Sequence, residues 1–293
     1  MQPLDQGERG CAPPLTQQPA HRQEWWPIVL SQKPADTSAR VGGRPSPQPT
    51  TENAAPLPAD TTGARHCLNC ADPPRDWLLW QLADSAFPAG GFAHSGGLEA
   101  AVQQGELRNL DGLQSFMEAS LWQFGHASLP LMTATYDRPE QLPGLNRLCD
   151  SFIMDHVANR ASRVQGQALL ASAERIFATP GLQRLRRLGG EVCPYAHLAP
   201  VFGVILLELG FARADAARLF CFFHLRALVS AAVRLGVVGP LQGQAVQHRL
   251  AAEAEKMLQR CRNLSVDEIA QTAPLLDLWQ ANQDRLYSRL FQS

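Results

Sequence analysis

Residues Ala212–Leu235 read ARADAARLFCFFHLRALVSAAVRL. Leu219, Phe220, Phe222, Phe223, Leu225, Leu228 and Val229 cover this helix-length run on nearly every side. A helix that is apolar all round must be enclosed by other helices or by a second subunit. Working outward, the period stays helical. Leu110, Leu113, Met117, Leu121 and Phe124 recur at three- and four-residue steps, and so do Val246, Leu250, Ala254, Met257, Leu258 and Cys261. Asn109 suits an N-cap and Asp111 the first turn behind it. Helix breaks are signalled at Pro139, Pro143, Pro180–Gly181, Gly189–Gly190, Gly210, Gly239–Pro240 and Pro274. No stretch alternates apolar and polar residues over strand length, and no solenoid period repeats. The expected fold is all-α, a single helical domain of about nine or ten helices around a central apolar helix, covering residues 76–293.

Composition changes at the start of that domain. Thirteen of the 22 prolines lie in residues 1–75, most densely in RPSPQP at Arg44–Pro49. Such a segment buries too little apolar surface to offset its ordering entropy, so residues 1–75 are expected to be a disordered, Pro-rich extension. Its one apolar island is WWPIVL, Trp25–Leu30, a docking motif or merely a sticky patch. Seven acids balance seven bases in the extension, unlike the acid-poor transit peptides, and no secretory signal is legible. A net charge of −1 offers no broad basic field for nucleic acid. Of 26 basic residues only Lys33 and Lys256 are lysines; arginine suits fixed interface contacts, although codon bias produces the same excess. The seven cysteines are scattered and odd in number, which points to a reduced compartment rather than a disulfide framework. Arg226 and Arg234 interrupt the most apolar run, Leu219–Val238, short of a membrane span. A cytoplasmic protein contacting neither membrane nor nucleic acid is expected.

The segment richest in chemistry is FPAGGFAHSGGLE, Phe87–Glu99. It lacks the lysine, the glycine spacing and the preceding strand of a phosphate loop. AHSGG resembles a nucleophile elbow at Ser95 whose first glycine has become Ala93, but an elbow needs a strand-to-helix turn that a helical chain does not supply. Ser95 reads more naturally as a helix cap, with Glu99 early in the helix that follows. His94 has no second ligand at metal spacing. His66, Cys67 and Cys70 (HCLNC) make half of a metal site without a second pair. Cys193 and His197, in CPYAH, could ligate weakly or simply lead into the next helix.

Five collinear segments carry a resemblance. They are LLWQLADSAFPAGGFAHSGGLEAAVQQGEL (Leu78–Leu107), NRASRVQGQALL (Asn159–Leu170), HLAPVFGVILLELGF (His197–Phe211), LRALVSAAVRLGVVGPLQGQAVQH (Leu225–His248) and LYSRLF (Leu286–Phe291). Together they resemble the urease accessory F (UreF) family, in its eukaryotic, plant-like branch. That likeness implies an all-helical, non-catalytic scaffold needed for nickel insertion into apo-urease. It implies a homodimer that binds the accessory D protein, also called H, and recruits and regulates the accessory G protein. In that scheme the G protein is a GTPase that binds GTP and carries the nickel, and the F protein itself holds no cofactor firmly. By the same resemblance Phe87, Pro88, Gly90, Phe92, His94, Ser95 and Glu99 belong to a segment that reorganises on D-protein binding. Tyr287 and Arg289 belong to a C-terminal tail coupled to it. Phe92 stands where the family often has tyrosine. Arg218 and Phe222 match positions serving dimerisation or G-protein recruitment, although Phe222 fits a monomer core equally well. His197 and Gly203 match positions at the entry to the central helix and read as structural. Two alternatives remain: a helical interaction module repurposed outside urease maturation, and a hydrolase using Ser95.

Overall fold

The computed structural model describes residues 75–192 and 195–293, with the backbone alone for residues 188–192. The expected extension over 1–75, with His66, Cys67 and Cys70, lies outside these residues apart from Arg75, and so does Cys193. The helices in chain order are α1 (Arg75–Ala83), α2 (Leu98–Gln103), α3 (Leu110–Ala127), α4 (Leu129–Asp137), α5 (Leu142–Phe152), α6 (His156–Phe177), α7 (Pro180–Val192), α8 (Leu198–Glu208), α9 (Arg213–Arg234), α10 (Pro240–Cys261) and α11 (Pro274–Ala281). Single 3-10 turns cover Gly91–Ala93, Pro139–Gln141, Val266–Glu268 and Asn282–Arg285. No strand occurs among the described residues, and the all-α expectation holds.

Local chemistry sets most of the helix ends. Asn109 Oδ1 accepts a hydrogen bond from the Gly112 amide at 2.8 Å, the cap expected for α3. Asp155 caps α6 in the same way, accepting from the amides of Val157 at 3.1 Å and Ala158 at 3.0 Å. Pro130, Pro143, Pro180, Pro240 and Pro274 stand in the first turns of their helices, where a missing N–H is no loss. Pro130 thus marks a break between α3 and α4 that the apolar period hides. The diglycine Gly189–Gly190 breaks nothing, because α7 runs through it to Val192.

The fully enclosed helix is α8, not the run at Ala212–Leu235. All eight residues from Ala199 to Leu206 are buried, with α4, α5, α6, α7 and α9 around them. The larger of these side chains contribute roughly 1.5–3 kcal/mol each through the surface they remove from water. Phe202 meets the rings of Phe220 and Phe223 of α9, at 4.7 and 5.3 Å between centroids. Helix α9 buries Leu219, Phe220, Leu225, Leu228 and Val229, but keeps an open side that carries Arg218 and a 36% exposed Phe222. By length and composition α9 could cross a membrane despite its arginines; here its apolar side is covered by α3, α8 and α10, as in a core helix.

His197 fixes the entry to α8. Its amide donates to Asn146 Oδ1 at 2.8 Å, and its ring nitrogens lie 3.2 Å from Ser162 Oγ and 3.2 Å from Asp150 Oδ1. The buried ring therefore joins α5, α6 and α8, in line with the structural reading. Burial lowers its pKa, and the bond to Asp150 opposes that shift. Gly203 lets α4 and α8 touch: a Cβ there would stand 2.1 Å from Met132 O and 2.5 Å from Thr135 Oγ1. Backbone cannot yield as a side chain does, so Gly203→Ala is expected to cost roughly 3 kcal/mol or to prevent folding. Gly144→Ala, in the exposed first turn of α5 with nothing within 4 Å of the new methyl group, should be neutral or stabilise by up to about 1 kcal/mol. Urea denaturation of the two variants checks the contrast.

Candidate functional site

A loop and a tail, almost 200 residues apart in the chain, form one surface. The loop runs from Phe87 through the turn Gly91–Ala93 into α2. At its base Phe87 is buried and stacks on Phe177 of α6, with ring centroids 6.2 Å apart. The carbonyl of the exposed Pro88 accepts from Ser172 Oγ at 2.8 Å. Gly90 precedes the turn with φ 75°, and Gly97 precedes α2 with φ 87°. Only glycine adopts such angles without strain, and at Gly97 a side chain would also crowd the backbone of Leu276 and Gln280 at 3.1 Å. Here the structure corrects the expectation for Ser95. The residue that caps α2 is Gly97, while Ser95 is buried and its Oγ has no hydrogen-bond partner among the described residues. The constrained φ angle placed the glycine at the cap and left the serine two residues upstream.

Glu99 joins the two segments. It is 1% exposed, and N–H groups meet its carboxylate on both oxygens. The amides of Leu290 and Phe291 donate at 2.6 and 3.1 Å, Gln283 Nε2 at 2.5 Å and Gln103 Nε2 at 3.4 Å. A carboxylate withdrawn from water requires such donors, and the tail backbone supplies two of them. Further bonds continue the seam. Gln292 N donates to Ala93 O at 2.8 Å, Ser95 N to Ser293 O at 2.5 Å, and His94 Nδ1 meets Ser293 Oγ.

Charge holds the outer edge of the tail. Arg160 of α6 grips Asp284 with Nη1 at 3.0 Å and Nη2 at 2.9 Å. Arg289 reaches the same carboxylate at 2.9 Å, and His156 at 3.2 Å. The hydrogen bond from Arg160 holds the Asp284 carboxyl below its usual range. Arg289 is thus an intramolecular tail anchor, paired rather than free. Tyr287 is fully exposed and Phe92 is 65% exposed, so both aromatic rings face outward from this cluster.

The remaining expected residues lie elsewhere. Arg218 and Phe222 stand one turn apart on the open side of α9, with no hydrogen bond or ring contact to loop or tail. Arg218 pairs with Glu255 through Nε at 3.2 Å and Nη2 at 3.0 Å, and Arg226 lies over the Phe222 ring at 5.7 Å. Three contributors to the loop–tail surface escaped the sequence reading: Gln283, Asp284 and Arg234. All three act on partners more than a hundred residues away in the chain, and no local pattern marks any of them. Arg234 looked only like an interruption of an apolar helix.

Beneath the loop lies a cavity of about 450 Å³, walled by Phe124, Leu131, Phe220, Phe223 and Leu228 and touched by His94, Ser95, Ser120 and His224. His224 Nε2 pairs with Ser120 Oγ at 2.9 Å, and burial pushes its pKa down to about 4. Burial first, and the nearby Arg160 charge second, lower His94 to about 4 as well. Both rings are neutral at pH 7. Among the described residues no base reaches Ser95 Oγ, and no nucleophile–base pair of the kind a serine hydrolase needs is assembled by them there. Among the described residues no group of three His, Cys, Asp or Glu side chains could hold a metal ion.

Two outcomes follow from this geometry. Glu99→Gln places an amide where N–H donors converge, and should loosen the tail by roughly 1–3 kcal/mol without melting the α8 core. Trypsin cleavage after Arg285 and Arg289 in folded protein, followed over time, should then be faster than in wild type. His224, with a folded pKa depressed from 6.5 to about 4, adds stability that is complete above pH 6.5 and is lost as the pH falls toward 4. The loss due to this ring should be roughly 2 kcal/mol at pH 5, and urea denaturation of His224→Gln should show a flatter pH profile than wild type.

Comparison with known proteins finds kinship along the chain. The family model described as UreF matches residues 107–251. Urease accessory protein F of Oryza sativa subsp. indica is 39% identical over 220 residues, covering 73% of this chain and 84% of the rice protein. Urease accessory protein F of Arabidopsis thaliana is 37% identical over 223 residues, covering 74% and 92%. A UreF-like protein of Schizosaccharomyces pombe is 30% identical over 224 residues, covering 72% and 94%.

Proposed function

This chain belongs to the UreF family, on its plant-like side, and from that premise we propose that it serves urease maturation as a non-catalytic scaffold for nickel insertion into apo-urease. In this reading nickel is cargo and GTP is bound by a partner. The loop–tail surface takes the accessory D (or H) protein, and the assembled pair recruits and regulates the G-type GTPase in the cytoplasm. The open side of α9, with Arg218 and Phe222, supplies the contact of a homodimer. The kinship with the rice and Arabidopsis proteins carries the reading. The site adds physical support: Phe92 and Tyr287 face outward, and exposed aromatic rings give a partner large apolar area to cover.

Co-expression of the full chain with the D and G accessory proteins of the same organism tests it. One species containing all three chains is expected by size exclusion with light scattering. Tyr287→Ala should weaken D-protein binding about tenfold and leave the melting temperature unchanged. Clean separation of the wild-type chain from both proteins overturns the scaffold reading.

A further inference from the structure

The exposed turn Gly91–Ala93 does not hold itself. Its two internal hydrogen bonds, Ala93 N to Gly90 O and His94 N to Gly91 O, are long at 3.4 and 3.3 Å. Yet the turn carries Phe92, the most outward ring of the loop. The tail steadies it through the bond from Gln292 N to Ala93 O, and a second support comes from another helix. Arg234 stands in the last turn of α9, rooted behind the buried Ala231 and Ala232. Its guanidinium carbon lies 3.9 Å from the centre of the Phe92 ring and 4.2 Å from that of Phe291. The same group donates from Nη1 to Phe92 O at 2.5 Å. Phe92 belongs to the loop and Phe291, which is buried, to the tail. The contacts of Arg234 are thus two ring faces and one carbonyl, divided between the two segments, rather than a carboxylate. A planar guanidinium can offer its faces to rings and its edge to an acceptor at once, and a lysine ammonium cannot.

We infer that Arg234 is a positioning residue that couples loop and tail, so that Phe92 and the segment around Phe291 are presented to a partner as one surface. Glu99 holds the tail to α2 from the inside; Arg234 ties the tail to the turn from the outside. Loss of either segment's order then reaches the other through the guanidinium as well as through the direct bonds of the seam. The coupling is a property of this chain alone, and only its use in partner binding rests on the scaffold reading.

Hydrogen exchange on the full chain tests the coupling, comparing wild type, Arg234→Lys and Arg234→Ala. In both variants the loop amides of Ala93 and His94, and the tail amides of Leu290 and Phe291, should exchange roughly five- to tenfold faster, with α8 unchanged. None of these four amides bonds to Arg234, so their common response reads coupling rather than a lost contact. Loosening of only one segment, full protection in Arg234→Lys, or acceleration that extends to α8 each overturns it. The second arm measures affinity for the D accessory protein, expected to fall roughly tenfold in both variants. Faster exchange at unchanged affinity overturns the role in recognition. Failure of the wild-type chain to bind the D protein sinks the scaffold reading instead, and the exchange pattern still decides the role of Arg234.

Discussion

A carboxylate withdrawn from water must be met by donors on nearly every lone pair, and Glu99 satisfies that demand with the protein's own distant ends. Two donors are backbone amides of the tail, Leu290 and Phe291, and a third is Gln283 in the turn before it. Burying the acid without them would cost several kcal/mol, which is of the order of a domain's whole stability. Placing Glu99 inside the protein therefore forces the tail onto α2 and the loop. The seam to Ala93 and Ser95, and the salt links at Asp284, extend a register that Glu99 already sets.

The scaffold behind that surface is rigid for a different reason. Helix α8 is enclosed on all sides, and it approaches α4 so closely that Gly203 has no room for a methyl group. His197 links the start of α8 to α5 and α6 through three polar contacts, so the core is fixed in orientation as well as in packing. Phe202, Phe220 and Phe124 carry this rigidity into α9 and α3 through ring contacts at 4.7 Å. Because Arg234 extends from the end of that same α9, the joint between loop and tail has a firm foundation.

Much of this was legible in residue order. The faces of α3 and α10, the Asn109 cap and the stops at Pro180, Pro240 and Pro274 each follow from local rules. The richness of Phe87–Glu99 in glycine marked it as a special segment, and the order of the collinear segments pointed to the family that the comparisons then identified. The misreadings are instructive. Ser95 looked like a cap because serine usually is one, but positive φ at Gly97 moved the cap forward. Ala212–Leu235 looked central because large apolar residues surround it, yet the shorter α8, with glycine and alanine among its residues, is the helix that neighbours can enclose.

The sequence by itself determined which segments are helical, where most of them stop and which of their faces avoid water, because those properties depend on residues within a turn or two of each other. Only the tertiary structure decided which apolar helix lies at the centre, and that Glu99, Arg234 and Asp284 close a loop and a tail into one surface. Those outcomes depend on groups from different helices and distant parts of the chain, more than a hundred residues apart for Glu99 with Leu290 and Arg160 with Asp284, meeting within the range of hydrogen bonds and ring contacts. No local pattern encodes such a meeting, and the packed core alone brings the partners together.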